Sequence, residues 1–208
     1  MQNFAKVTTT TTDTVTGIFD SNATLFTFNP KEITVDNEDP GFRIIESNQK
    51  NKLQSFFEKE SEDKYKNLNF WMPPSKWTAT IGVNYYGDYI NSAVYKKSGS
   101  GSNKTEWTTQ IQIPGFYEVF VYTSELPMMG WRHRGGEEKK IQYYTVKHDD
   151  GEEEISVETG RGRQGWRTLG SFYFSKGEAK ITLSDKGSES NQIIFADAVK
   201  WVYTNNNK

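Results

Sequence analysis

Arginine and tryptophan are the residue types whose spacing in this chain could recognise a ligand. Of six arginines, five fall between positions 132 and 167: Arg132, Arg134, Arg161, Arg163 and Arg167. Two loop-like strings hold them, Trp131-Arg-His-Arg134 and Gly160-Arg-Gly-Arg-Gln-Gly-Trp-Arg167. A guanidinium fork matches a carboxylate through two parallel hydrogen bonds, and an indole face stacks on a sugar ring. Trp131, Arg132, Arg134, Arg161, Arg163, Trp166 and Arg167 therefore form the candidate site for binding an acidic polysaccharide. The plainer alternative is a solvated basic loop neutralised by Asp149, Asp150 and Glu152, Glu153 and Glu154.

A second set is acidic. Asp197 lies inside Ile193-Ile-Phe-Ala-Asp-Ala-Val-Lys-Trp-Val202, where burying a carboxylate without a partner is costly. If the first and last strands are neighbours, Asp36, Asn37 and Asp39 approach it. Asp36, Asp39 and Asp197 would then supply oxygen ligands suited to a structural calcium ion, the one cofactor these residues suggest. In the alternative, Asp197 accepts backbone N–H bonds and residues 36–39 form an Asx-turn before Pro40. Tyr85, Tyr86, Tyr89 and Trp77 gather around Gly82 and Gly87 and read either as packing or as a stacking platform. Phe56, Phe57, Phe70, Trp71 and Met72 either cover the fold or dock on a neighbouring domain of a longer parent.

Catalysis has less support. With no Cys there is no thiolate nucleophile, Cys-ligated zinc or disulfide, and two His leave few options for imidazole metal chemistry. His133, His148, a Tyr and an Arg could in principle serve as acid and base, but no motif ties them together. The alternation of Tyr144, Val146 and His148 points to a packed residue. Gly160 to Gly165 fits G-x-G-x-x-G by letter, yet it precedes a strand instead of a helix and is discarded as a nucleotide fingerprint. A net charge of -2 gives no global field for a nucleic acid or an anionic membrane, and no apolar run is long enough to span a bilayer.

The elements that must position these residues are short β runs divided by Gly, Pro, Asn and Asp. They fall at residues 32–35, 77–83, 92–95, 107–113, 116–122, 142–148, 153–158, 166–174, 178–184 and 192–203. Strands this short and numerous make an all-β sandwich, and 30 Phe, Trp and Tyr among 208 residues give it a core of a few large rings. Ala179, Ile181 and Leu183 alternate with Lys180, Thr182 and Ser184, so one face of that strand meets water. Residues 116–122 are apolar on both faces, which predicts a central strand covered on both sides. One short helix is predicted over residues 52–63, where Leu53, Phe56 and Phe57 fall at i, i+3 and i+4. It lies in an insertion at about residues 46–74. Residues 1–30 read as an extension or linker, residues 31–204 as one domain, and residues 205–208 as a polar tail.

The ordered strings Tyr144-Thr-Val-Lys-His148, Gly165-Trp166-Arg-Thr-Leu169-Gly170-Ser-Phe172-Tyr-Phe174, Ile181-Thr-Leu-Ser184 and Phe195-Ala-Asp-Ala-Val-Lys-Trp201 resemble a known domain. Ile33-Thr-Val-Asp-Asn-Glu-Asp-Pro-Gly-Phe42, Trp77, Tyr86-Gly87 and Gly115-Phe-Tyr-Glu-Val-Phe-Val121 precede them in the same order. The domain is that of golvesin and of the C-terminal end of bacterial xanthan lyases. The resemblance implies a jelly-roll β-sandwich of the galactose-binding type, described as carbohydrate-binding-like, and a secreted, periplasmic or cell-surface parent. It implies a non-catalytic accessory module that binds polysaccharide within a polysaccharide-processing protein. The rival readings are a protein-interaction or spacer domain that binds no sugar, and a fragment of a polysaccharide lyase.

Overall fold

Every regular element among the described residues is a strand, as a chain of alternating short apolar runs should give. The computed structural model describes residues 31–47, 64–124, 140–160 and 162–204. In chain order the strands are β1 (Glu32–Val35), β2 (Phe42–Ile45), β3 (Thr78–Ile81), β4 (Ser92–Lys97), β5 (Lys104–Ile111) and β6 (Gly115–Thr123). They continue as β7 (Lys140–His148), β8 (Gly151–Thr159), β9 (Gly165–Phe174), β10 (Gly177–Gly187), β11 (Ile193–Ala196) and β12 (Val199–Thr204). Three antiparallel sheets result, ordered β1-β12-β6-β9, β2-β5-β10-β7-β8 and β11-β4-β3. The whole is an all-β jelly-roll sandwich. The predicted helix at 52–63, the extension at 1–30 and the tail at 205–208 lie outside the described residues.

First and last strands do pair: Ile33 lies opposite Trp201 and Val35 opposite Val199. Two elements differ from the sequence expectation. Phe42–Ile45 forms a strand on the edge of the five-stranded sheet, against Trp107 to Lys104; its exposed Ile44 and Ile45 break the in-out alternation that would have marked it. The run at 192–203 is two strands instead of one. β11 joins the three-stranded sheet and β12 the four-stranded sheet, with Asp197 and Ala198 as the corner between them.

The main core is filled by the inward residues of all three sheets, with Trp107 and Trp201 as its largest fully buried side chains. Strand β10 keeps the expected alternation, burying Ala179, Ile181 and Leu183. Strand β6 does not match expectation. It is central, between β12 and β9, but only Tyr117, Val119, Val121 and Thr123 are buried. Its other face carries rings that shield one another: Phe116 against Tyr173 at 5.4 Å, and Tyr122 against Trp166 at 5.4 Å. Rings large enough to cover their neighbours need no second layer.

Strands β4 and β11 are buried on both faces for a different reason. Val94, Ile194 and Ala196 enter the main core, while Ala93, Tyr95, Ile193 and Phe195 form a second cluster with Tyr85, on which Leu68 and Phe70 pack. The described end of the insertion is thus a cover for this small sheet. It is tied down by the Lys66 N–H donating to Ala79 O at 2.8 Å and the Asn69 N–H donating to the Tyr95 hydroxyl at 3.0 Å.

Among the described residues one ion pair is fully inside. Lys96 contacts Asp185, and both are almost completely buried. Asp185 also accepts from the Gly101 N–H at 2.7 Å and Asn103 Nδ2 at 2.9 Å, while the Lys96 ammonium lies 5.8 Å from the Trp77 ring centre. Burial pushes the Asp185 carboxyl up, but the hydrogen bonds from Lys96 and Asn103 and the Lys96 charge outweigh it and hold the group below its ordinary value. Removing one member strands the other, which typically costs about 3–5 kcal/mol. Denaturant unfolding of Lys96→Met should show a loss of that order, and adding Asp185→Asn should recover part of it; equal stability of wild type and Lys96→Met would contradict this account.

Candidate functional site

The corner between β11 and β12 sets the site. Its backbone carbonyls are used at once: Asp197 O accepts from Trp107 Nε1 at 3.0 Å and Ala198 O from the Tyr122 N–H at 2.8 Å. The Asp197 carboxylate, 1% exposed, accepts through Oδ2 from the Tyr86 N–H at 3.1 Å and the Ser124 hydroxyl at 3.0 Å. Its Oδ1 has no hydrogen-bond partner among the described residues. Burial pushes this carboxyl well above its ordinary value; the Asp36 charge adds to the rise, and the bonds from Tyr86 and Ser124 oppose it.

Holding the Tyr86 N–H fixes the 82–91 loop. Tyr85 turns inward, 4% exposed, with its ring 5.8 Å from Phe195. Tyr89 stands 92% exposed. Gly87 makes this turn possible: its φ is 149°, and a Cβ there would lie 2.0 Å from Ile90 O. Between this loop and the end of β1 is a cavity of about 310 Å³ lined by Thr34, Asp36, Glu38, Asp39, Tyr86, Asp88, Tyr89 and Ile90. Four carboxylates and two phenols face it. Burial and the charges of Asp88 and Asp36 push the Tyr86 phenol up, keeping it a proton donor. Burial also pushes Glu38 up, but hydrogen bonds from Lys64 and Ser92 outweigh this and hold it below its ordinary value.

The arginine-bearing loop meets the cavity through rings. Trp166 packs edge-on against Tyr86 at 5.1 Å, and the Lys200 ammonium lies 4.4 Å from the Trp166 ring centre. Gln164 Nε2 donates to Asn84 O at 3.1 Å, joining the two loops directly. Arg163 Nη1 pairs with Glu158 Oε2 at 3.0 Å, and Arg167 Nε donates to Arg163 O at 3.3 Å. Asp149, of the acid run weighed as a partner for this loop, accepts from the Ser175 N–H at 2.9 Å. Trp131, Arg132, Arg134 and Arg161 lie outside the described residues. Trp77 and Tyr85 serve packing, as the plainer reading held, whereas Tyr86 and Tyr89, the other half of that aromatic group, line the cavity, and Glu38 and Asp88 were missed as cavity residues. The signal for them was the string Tyr85-Tyr-Gly-Asp-Tyr-Ile90, with rings and an acid crowded around a glycine.

His148 packs against Phe172, ring centres 5.0 Å apart, in the manner of a structural residue. The proposed calcium ligands only partly meet. Asp36 and Asp39 share the cavity, and Asp197 sits behind it bonded to Tyr86. Among the described residues no three carboxylate or imidazole side chains converge closely enough to hold a metal ion. Asp36 and Asp39 spend oxygens on the chain: the Asn37 N–H donates to Asp36 Oδ1 at 2.7 Å and the Asp36 N–H to Asp39 Oδ2 at 2.8 Å. These are the turn bonds of the alternative reading, and calcium would have to displace them.

Burial, opposed by the Asn37 N–H and reinforced by the charges of Asp39, Glu38 and Asp88, pushes the Asp36 carboxyl up to about 7. A carboxyl raised on folding binds its proton more tightly in the folded chain, so its contribution is complete below the unfolded value and is lost as pH rises through the folded one. Thermal denaturation should therefore show Tm falling between about pH 4 and about pH 7, and Asp36→Asn should flatten that slope. Parallel profiles for the two proteins would exclude Asp36 as the source.

No curated protein sequence matches the chain. Among solved structures, the fold is similar to part of a Paenibacillus xanthan lyase, with a TM-score of 0.56 and 20% identity over 86% of this chain and 14% of that one. Part of the Podospora anserina GH26-CBM35 β-(1,4)-mannanase aligns with a TM-score of 0.44 and 11% identity, over 86% of this chain and 29% of that one. An exo-β-1,3-galactanase from Phanerochaete chrysosporium gives 0.37 and 15%, over 64% and 27%. The chain thus spans less than a third of the length of each. A family model, the Golvesin C-terminal domain, matches residues 64–203. That span takes in Trp77, Tyr86-Gly87 and every later string of the resemblance, and the chain belongs to the golvesin C-terminal domain family.

Proposed function

We propose that this domain is a non-catalytic accessory module that binds polysaccharide for a secreted, periplasmic or cell-surface polysaccharide-processing protein, whose other domains it accompanies. The observation that carries the reading is the cavity in which exposed Tyr89 and Tyr86 stand beside carboxylates, with Trp166 against Tyr86. Such a lining suits a sugar: tyrosine faces take the C–H side of a pyranose ring, and carboxylates accept from its hydroxyls. A uronate seated directly among Asp36, Glu38, Asp39 and Asp88 would be repelled. An acidic glycan therefore places its charged groups past Trp166, toward Arg163 and Arg167; Trp131, Arg132, Arg134 and Arg161 of the two strings stay in the proposal as further binding residues from their sequence alone. Affinity for one such shallow site is modest and gains from several modules on one parent.

In the same proposal a structural calcium ion displaces the turn bonds of Asp36 and Asp39 and takes both carboxylates, while Asp197 stays bonded to Tyr86 and Ser124 behind them, and the ion steadies the end of β1. Neutralising the clustered acids is its role, and it supplies no chemistry to a reaction. Its test is a thermal melt with calcium and with chelator: calcium should raise Tm of the wild type and leave Asp36→Asn unchanged.

Affinity electrophoresis in gels of xanthan, a pectin or a neutral glucan tests the binding itself. Wild type should be retarded, and Tyr89→Ala or Tyr86→Ala should weaken apparent affinity by about tenfold. Absence of retardation in every gel would remove the polysaccharide reading and leave a spacer or protein-interaction domain.

A further inference from the structure

The loop entering β3 holds an indole out in water. Trp71 is 77% and Met72 78% exposed, although Phe70 beside them is half-buried against the Tyr95 cluster. The loop is nevertheless well fixed. The Asn69 N–H donates to the Tyr95 hydroxyl at 3.0 Å, that hydroxyl donates to Asn67 O at 3.3 Å, and the Met72 N–H donates to Asn69 Oδ1 at 2.9 Å. The Lys97 N–H closes it by donating to Pro74 O at 2.8 Å, and the Phe70 ring supports Trp71 at 5.2 Å. A large apolar ring pinned in an exposed position is unusual enough to need a reason.

Beside it lies a second cavity of about 310 Å³, lined by Phe70, Trp71, Met72, Pro73, Lys97 and Asn191. Lys97 is exposed and belongs to none of the ion pairs among the described residues. Asn191, with φ of 67°, is the one non-glycine residue in the left-handed region among the described residues. Asparagine tolerates that conformation better than most, but it persists only where the surroundings impose it. Here Gln192 imposes it: its carbonyl accepts from the Ser98 N–H at 2.7 Å, its Oε1 from the Ser188 N–H at 2.9 Å, and its Nε2 donates to Ile141 O at 2.9 Å.

We propose that this cavity is a second glycan subsite, taking a sugar ring that carries a carboxylate. The apolar face of the ring lies on Trp71, its acid group meets the Lys97 ammonium, and the Asn191 amide both donates to and accepts from its hydroxyls. Two exposed side chains are far too little apolar surface for a protein partner, which needs roughly 800 Å² on each side. Ser92, bonded to Glu38 of the first cavity, and Lys97 are the two ends of β4. At a rise of about 3.3 Å per residue those two strand ends stand roughly 17 Å apart, and a polysaccharide chain that spans both subsites raises the effective concentration at each. The ligand class rests on the polysaccharide reading above; the location does not.

The test is affinity electrophoresis of the whole chain in gels of polygalacturonate, xanthan or dextran, comparing wild type with Trp71→Ala, Lys97→Gln and Tyr89→Ala. Trp71→Ala should weaken retardation by the acidic glycans by about tenfold, and Lys97→Gln should weaken it while lowering its sensitivity to salt. Thermal melts matching wild type are expected for both, since these side chains are exposed. Loss of retardation in Tyr89→Ala with none in Trp71→Ala would sink this subsite and leave the proposed function standing; the reverse pattern would support this subsite and remove the first cavity as the glycan site. Retardation of wild type by neither acidic glycan would overturn the subsite outright. So would a Trp71-dependent self-association in sedimentation velocity with glycan binding unaltered, which would make the patch a protein contact.

Discussion

A buried carboxylate at a strand break governs this domain. Asp197 cannot sit inside the sandwich without donors, and those it finds, the Tyr86 N–H and the Ser124 hydroxyl, belong to segments far away in sequence. Meeting that demand ends β11, starts β12 in another sheet, pins the start of the tyrosine loop and brings the end of β1 alongside. One polar residue thus joins the three-stranded sheet to the four-stranded one. The indole of Trp107, bonded to the Asp197 carbonyl, ties the five-stranded sheet to the same point.

The small sheet shows how a stretch with no strand of its own can still be structural. Ala93, Tyr95, Ile193 and Phe195 would be wet if the sandwich had only two layers, and Leu68 and Phe70 close over them. That cover needs its own backbone groups satisfied, and the Tyr95 hydroxyl does this for both Asn69 and Asn67. Fixing the loop by hydrogen bonds to the core is also what leaves Trp71 and Met72 facing water, because a loop held at residues 67, 69, 72 and 74 has no freedom to fold them away.

A net charge of -2 conceals a strong local separation. Acids collect at the cavity beside β1, and basic groups at the loop before β9 and at Lys200, with the Tyr86–Trp166–Tyr122 rings between them. Each set is partly neutralised on its own side of those rings, Glu38 by Lys64, Arg163 by Glu158 and Lys200 by Glu32. The two buried cores handle charge differently. Asp185 is neutralised by Lys96 and two further donors, the Gly101 N–H and Asn103 Nδ2, whereas among the described residues no cation pairs with Asp36 or Asp197, and burial raises both carboxyls.

Local pattern was enough to reveal most strands. The alternation of Ala179, Ile181 and Leu183 is legible because the period acts within a few positions, whereas the pairing of first and last strands, residues 32–35 against 199–202, entered only as a condition. The cost of burying Asp197 was also visible, since it follows from the residues on either side. Tertiary structure alone decided that the chain breaks there, that Tyr85 turns in while Tyr89 turns out, that Arg163 meets Glu158, and that Asp36 and Asp39 share a cavity with Glu38 and Asp88. Each of these depends on a donor, ring or carboxylate brought from a distant segment, and no local sequence pattern encodes which distant segment will arrive.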